Sequence, residues 1–156
     1  MRAALLLWGL LGLAGASAQA AAAEGAAVFL QNCLMCHQSG GAGLAGQFPR
    51  LAGRVAAISA KPAARGYLVQ VVSYGMSGNI TVDGKAIMGM MPGFAQIPDA
   101  DVASLLNYLT TLGKQPRKPP APFSAEEVQA FRSGPSHSAT EVHALRESLG
   151  IAKIAP

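Results

Sequence analysis

Cys33-Leu34-Met35-Cys36-His37 places two thiols three residues apart with an imidazole directly after the second, and the chain has no other cysteine. Two thiols at this spacing can add to the two vinyl groups of one haem, which leaves the adjoining imidazole placed to bind the iron. In an exported chain the C-x-x-C-H run reads as c-type haem attachment. Three other chemistries compete for the pair. A thioredoxin-like redox pair needs a βαβ setting that the flanking sequence lacks. A zinc site needs four protein ligands, and the histidines that would complete it, His137 and His143, lie far along the chain. A structural disulfide needs no histidine beside it. One covalently attached haem c, with its iron, accounts for all three side chains at once.

An iron held by His37 has a sixth position to fill. Beyond the N-terminal residue the chain offers Met35, Met76, Met88, Met90 and Met91. Met35 lies inside the attachment segment and reads as packing, and Met76 reads as a buried filler between two elements. Met88, Met90 and Met91 cluster in Ile87-Met88-Gly89-Met90-Met91-Pro92-Gly93-Phe94, where Pro92 stiffens the chain and the glycines allow close approach to a flat ligand. A thioether is soft and uncharged, favours ferrous iron and raises the reduction potential. The residues alone narrow the sixth ligand to Met90 or Met91. His137 and His143 give a bis-histidine alternative.

Several elements must position these groups. Residues 22–36 read as a helix with Gly25, Phe29 and Cys33 on one face. The glycine costs about 1 kcal/mol of helix propensity against alanine, which a close helix–helix contact would offset. Residues 39–49 form a glycine-rich loop lacking the lysine of a phosphate-binding loop. Pro62 to Tyr74 reads as a helix, with Tyr67-Leu68-Val69 and Val71-Val72 equally readable as a strand, and Asp83-Gly84 between Asn79–Val82 and Lys85–Met88 reads as a hairpin turn. Asp99 to Leu112 is an amphipathic helix with Asp99 as its cap and Gly113 at its end. After a linker carrying Pro116, Pro119, Pro120 and Pro122, two short helices start at capping-box patterns, Ser124/Glu127 and Ser138/Glu141. Helices so short need a partner to pack on.

The start of the chain reads as targeting. Arg2 precedes an apolar run over residues 3–14, and Ala16-Ser17-Ala18 is a cleavage site, with Ala18-Gln19-Ala20 a second. Cleavage is expected over an uncleaved N-terminal anchor, because the apolar run is short for a bilayer. The remainder suffices for one domain. The net charge of +4 falls by one with Arg2 and is no footprint for nucleic acid.

Together these residues resemble class I c-type cytochromes. Gly25, Phe29, Cys33, Cys36 and His37 look like the N-terminal helix and haem-binding segment of that class, and Pro49-Arg50-Leu51-Ala52-Gly53 is similar to its P-x-L-x-G stretch. The resemblance implies that Pro49 and Leu51 are cofactor-binding, the Pro49 carbonyl accepting a hydrogen bond from His37. Met91-Pro92-Gly93-Phe94 aligns with the M-P-x-F ligand loop, which selects Met91 and makes His37 and Met91 the iron ligands. The helix from Asp99, with Tyr108, resembles the C-terminal helix that crosses the N-terminal one at Gly25 and Phe29. The hairpin and the C-terminal helices look like those of small Thermus-type cytochromes that donate electrons to a haem–copper terminal oxidase. Phe48-Pro49, Leu51-Ala52-Gly53, Phe94-Ala95-Gln96 and Phe123 to Val128 fit that subgroup.

The implied architecture is mostly α: a class I cytochrome c fold with a small β-hairpin and a C-terminal helical extension. Its expected divisions are a signal peptide over 1–18, a cytochrome c domain over 19–113, and a Pro-rich linker with helical extension over 114–156. The implied function is that of a periplasmic electron carrier, not an enzyme. It would move one electron between an upstream respiratory donor complex and a haem–copper oxidase or other redox protein, peripheral to the membrane at most. Two readings compete: a cytochrome c subunit of a periplasmic dehydrogenase, and a haem peroxidase or gas sensor with an open sixth position. Residues 38–49 and 86–98 contain no charged side chain, so loops framing the haem edge would dock partners through an apolar surface.

Overall fold

An alanine-rich run, the strongest helix-forming composition, opens the described part of the chain; the computed structural model describes residues 11–134 and 137–154. Helix α1 runs Leu11–Asn32, longer at its N-terminus than the sequence pattern predicts. The expected leader thus lies in part outside the described residues, and over 11–18 the backbone is continuous with α1. Cys33 turns the chain, and the single-turn helix α2 follows over Leu34–His37. The amide of His37 donates to the Cys33 carbonyl at 2.9 Å, so the segment keeps helical bonding through the turn.

Helices α3 (Arg54–Ser59) and α4 (Pro62–Tyr74) come next; α4 matches the sequence expectation, with Pro62 in the first turn where its missing N–H costs nothing. Strands β1 (Met76–Val82) and β2 (Lys85–Met91) form a two-stranded antiparallel sheet. The hairpin is longer than the sequence reading, which ended its second run at Met88, and Met90 and Met91 lie in a strand where a loop was expected. The ladder pairs Met76 with Met91, Gly78 with Gly89 and Ile80 with Ile87 around the Asp83-Gly84 turn. Asp83 has a φ of 52° and Gly84 of 74°, the left-handed pair that a tight hairpin requires.

Helix α5 (Asp99–Thr111) is capped at Pro98, not Asp99. Asp99 sits in the first turn, where its charge suits the helix dipole, and its carboxylate pairs instead with Arg132 at 2.6 Å. Helices α6 (Ala125–Arg132) and α7 (Ala139–Ser148) follow the proline-rich stretch. Ser138 and Glu141 form a full capping box. At Ser124 only the serine half forms, because Glu127 turns its carboxylate to Arg65 at 2.6 Å.

One core joins these elements. Helices α1 and α5 cross at Gly25, where an added Cβ would overlap the Ser104 carbonyl and lie 2.8 Å from the Tyr108 Cβ. Phe29 is buried beside that crossing with its ring 5.7 Å from the Tyr108 ring. Phe123, Val128, Val142 and Ile151 from the C-terminal region belong to the same core. A two-point clip fixes the linker: Asn107 donates to the Phe123 carbonyl at 2.9 Å and accepts from the Phe123 amide at 2.7 Å. Among the described residues no helix is long and apolar enough to cross a membrane.

Candidate haem site

The attachment segment ends on a buried imidazole. His37 is 7% exposed, and its Nδ1 is 2.9 Å from the Pro49 carbonyl. A carbonyl can only accept, so Nδ1 carries the proton and Nε2 keeps its lone pair for a metal. Burial holds the imidazole below its ordinary pKa, only partly offset by that hydrogen bond, and neutral imidazole is the ligating form. Cys33 and Cys36 are half-buried and in no disulfide. Burial, and then the neighbouring Cys36, push the Cys33 thiol up to about 11. A redox-active or nucleophilic cysteine needs the opposite shift.

Two adjoining cavities meet at His37. The inner one is walled by apolar side chains of α3, α4 and α5, among them Val55, Leu68, Leu105 and Leu109, and also by Cys33, Leu51 and Met91. The outer cleft lies between Gly46, Gln47 and Phe48 on one side and residues 87–92 of the hairpin on the other, with Cys36 in its wall. His37, Pro49, Met76, Ile80 and Met91 line both. Every site residue expected from the sequence (Cys33, Cys36, His37, Pro49, Leu51, Met91) therefore faces this connected space. Neither His137 nor His143 lines it. His143 Nε2 lies 2.9 Å from the Asn79 carbonyl, and the His137 ring packs edge-on to Tyr74.

The hairpin sorts the methionines. Side chains alternate faces along a strand, so Met91 shares the inward face with Ile87, whereas Met88 and Met90 point outward at 80% and 73% exposure. Met35 is exposed as well. The backbone of Met91 is pinned from below. Gly75, with a φ of 75°, ends α4, and a Cβ there would overlap the Met91 carbonyl. The Phe94 amide donates to the Val72 carbonyl at 2.9 Å just after the strand.

Sequence reasoning missed the charged end of the inner cavity. Arg54 and Arg146 are 6% and 2% exposed and line it together with Arg50 and Tyr67. Asp83 accepts from Arg50 at 2.7 Å and lies 3.7 Å from Arg54, while the exposed Glu147 pairs with Arg146 at 2.8 Å. Three guanidiniums thus share two surface carboxylates. Burial, chiefly, depresses the Arg54 pKa, with Arg146 and Arg50 adding like-charge repulsion. Burial pushes the Tyr67 hydroxyl up to about 12, so it remains a donor. The available signal was Arg146 itself, a cation four residues after Val142 on the apolar stripe of its helix.

These features fit a haem. The cavity wall is apolar enough for a macrocycle, a neutral imidazole nitrogen and a thioether face the same space, two thiols stand at its rim, and an excess of buried cation awaits carboxylates such as haem propionates. No cluster of three or more His, Cys, Asp or Glu side chains able to hold a bare metal ion occurs among the described residues.

Comparison with known proteins gives the same answer. The cytochrome c family model matches residues 22–113. The chain is 41% identical over 133 residues to a cytochrome c-552 of Thermus thermophilus, covering 84% of this chain and 88% of that protein. It is 32% identical over 111 residues to the cytochrome c subunit of a quinone alcohol dehydrogenase from Gluconobacter oxydans, covering 70% of this chain but 22% of that subunit. With C-x-x-C-H opening onto an apolar cavity, and with family and relatives in agreement, the chain belongs to the cytochrome c family of electron-transfer proteins and carries one covalently bound haem c.

Proposed function

We propose that this protein is an exported single-haem carrier in which Cys33 and Cys36 would attach the macrocycle and His37 and Met91 would hold the iron. It would take one electron at a time from a respiratory donor and pass it to a terminal oxidase. The observation that carries this reading is the meeting of His37 and Met91 in one connected apolar space.

Haem iron supplies the one-electron ferrous/ferric couple. The chain's own residues do the rest. The Pro49 carbonyl fixes the His37 tautomer and ring orientation, which keeps Nε2 aimed inward. Met91 supplies a soft, uncharged donor that favours the ferrous state. The leucines and valines of α3, α4 and α5 exclude water and penalise the added charge of the ferric state, which raises the potential. Arg54 and Arg146 would supply cationic partners for propionates. Because both ligands sit on rigid elements, little need reorganise when the electron moves.

An equilibrium redox titration of the haem-loaded protein tests the carrier reading. A single reversible one-electron wave, with negligible carbon monoxide binding by the reduced form, is expected. Rapid carbon monoxide binding would show an open iron and favour the gas-sensor or peroxidase reading instead. The likeness to a dehydrogenase cytochrome subunit supports one competing role, a cytochrome permanently bound to a periplasmic dehydrogenase. Co-purification from the native organism with a stoichiometric dehydrogenase would establish that role in place of the carrier.

A further inference from the structure

Met76 is the methionine that the hairpin places with Met91. The two are register partners at the open end of the ladder, and directly opposed residues of an antiparallel pair carry their side chains on one face with Cα atoms about 4.5–5.5 Å apart. Both side chains line the inner cavity and the outer cleft, beside His37 in each. Met88 and Met90, on the other face of the sheet, are largely exposed. The inward face of the hairpin therefore presents two thioethers.

A buried methionine is ordinarily a flexible filler. Met76 differs in one respect, because its sulfur is held. The buried Tyr67 hydroxyl donates to the Met76 sulfur at 3.7 Å, which engages one lone pair and leaves the other free. That contact orients the thioether inside the cavity wall.

We propose that Met76 is a reserve axial ligand, a second thioether that takes the sixth position of the iron when Met91 is unavailable. The proposal rests on Met91 being the ligand of the resting protein. Met91 has first claim because its backbone is fixed by Pro92, by the close approach of Gly75 and by the Phe94–Val72 hydrogen bond. The exchange replaces one thioether by another. No proton or electron is transferred and the charge of the site is unchanged.

The test is the near-infrared spectrum of the oxidised, haem-loaded protein in four forms: wild type, Met76→Leu, Met91→Ala and Met76→Leu/Met91→Ala. The thioether-to-ferric charge-transfer band should persist in the wild type and in Met76→Leu. It should persist with reduced intensity in Met91→Ala and vanish in the double variant, which turns high-spin. Complete loss of the band in Met91→Ala, with Met76→Leu unaffected, overturns the reserve ligand and leaves the Met91 assignment standing. Loss in Met76→Leu alone makes Met76 the resting ligand and overturns both. A band surviving in the double variant assigns the substitute to another methionine, such as Met90, and overturns the proposal. Should Met91→Ala fail to mature, Met91→Leu keeps the volume in the hairpin and carries the same comparison.

Discussion

Strand periodicity divides the methionines of the Ile87–Phe94 segment more sharply than residue chemistry can. Met88, Met90 and Met91 are equally soft donors, and the residues alone leave Met90 and Met91 level. Pairing of Met91 with Met76 turns one set inward and the other out. The segment reads as a loop because its glycines and proline are turn-type residues, so the period of two that decides the matter is not visible until the ladder forms. Gly75 is the residue that holds this arrangement in place. Gly75→Ala introduces a Cβ against the Met91 carbonyl in a left-handed conformation, and a destabilisation of about 1–3 kcal/mol is expected, read by chemical denaturation, together with a weakened thioether charge-transfer band. Arg146 carries a second expectation at this scale. Arg146→Leu removes a buried positive charge from the inner cavity, which favours the ferric state, and redox titration should show the potential lowered by tens of millivolts. An unchanged or raised potential would remove Arg146 from the account of the site.

Elements were legible where local signals agreed with tertiary demands. The helix from Pro62 to Tyr74 has the expected bounds, its first-turn proline outweighing the β-branched run that also allowed a strand there. The α5 cap was misplaced, since Asp99 has a cap's chemistry but is drawn to Arg132, a partner thirty-three residues away that no local pattern announces. The half-formed box at Ser124 has the same cause, with Arg65 taking the Glu127 carboxylate. The C-terminal helices show what such long-range contacts achieve. Burial of Phe123, Val128, Val142 and Ile151 contributes roughly 6–12 kcal/mol at about 1.5–3 kcal/mol per side chain, comparable with the whole stability of a typical domain, about 5–15 kcal/mol. A chain ending at Gly113 should therefore lose its cooperative thermal transition. Retention of the full-length midpoint would reduce the extension to an ornament of the surface.

At the scale of the whole molecule, charge placement governs both acid stability and docking. Arg50 holds the Asp83 carboxyl below its ordinary pKa through a hydrogen bond, and Arg65 does the same for Glu127. Groups whose folded pKa is depressed add stability above their unfolded pKa and lose it as pH falls through the folded value. The thermal midpoint should thus be level near neutrality and fall below about pH 4, and Glu127→Gln should remove part of that fall. The surface around the outer cleft is nearly free of charge. Gly46, Gln47 and Phe48 face the hairpin across the cleft, Met88 and Met90 in its wall are exposed, and residues 38–49 and 86–98 carry no charge; a partner docking there would meet an apolar surface. Electron transfer to a redox partner should depend weakly on salt, and a steep fall of stopped-flow rate with ionic strength would contradict an apolar interface.

The central claim is that His37 and Met91 close the coordination of a single haem c. Its most direct test is the visible and near-infrared absorption of the haem-loaded protein in both oxidation states, wild type beside Met90→Ala and Met76→Leu/Met91→Ala. Sharp low-spin reduced bands and a thioether-to-ferric charge-transfer band are expected in the wild type and in Met90→Ala, and loss of that band in the double variant. High-spin bands in the wild type, or loss of the band in Met90→Ala, would contradict it.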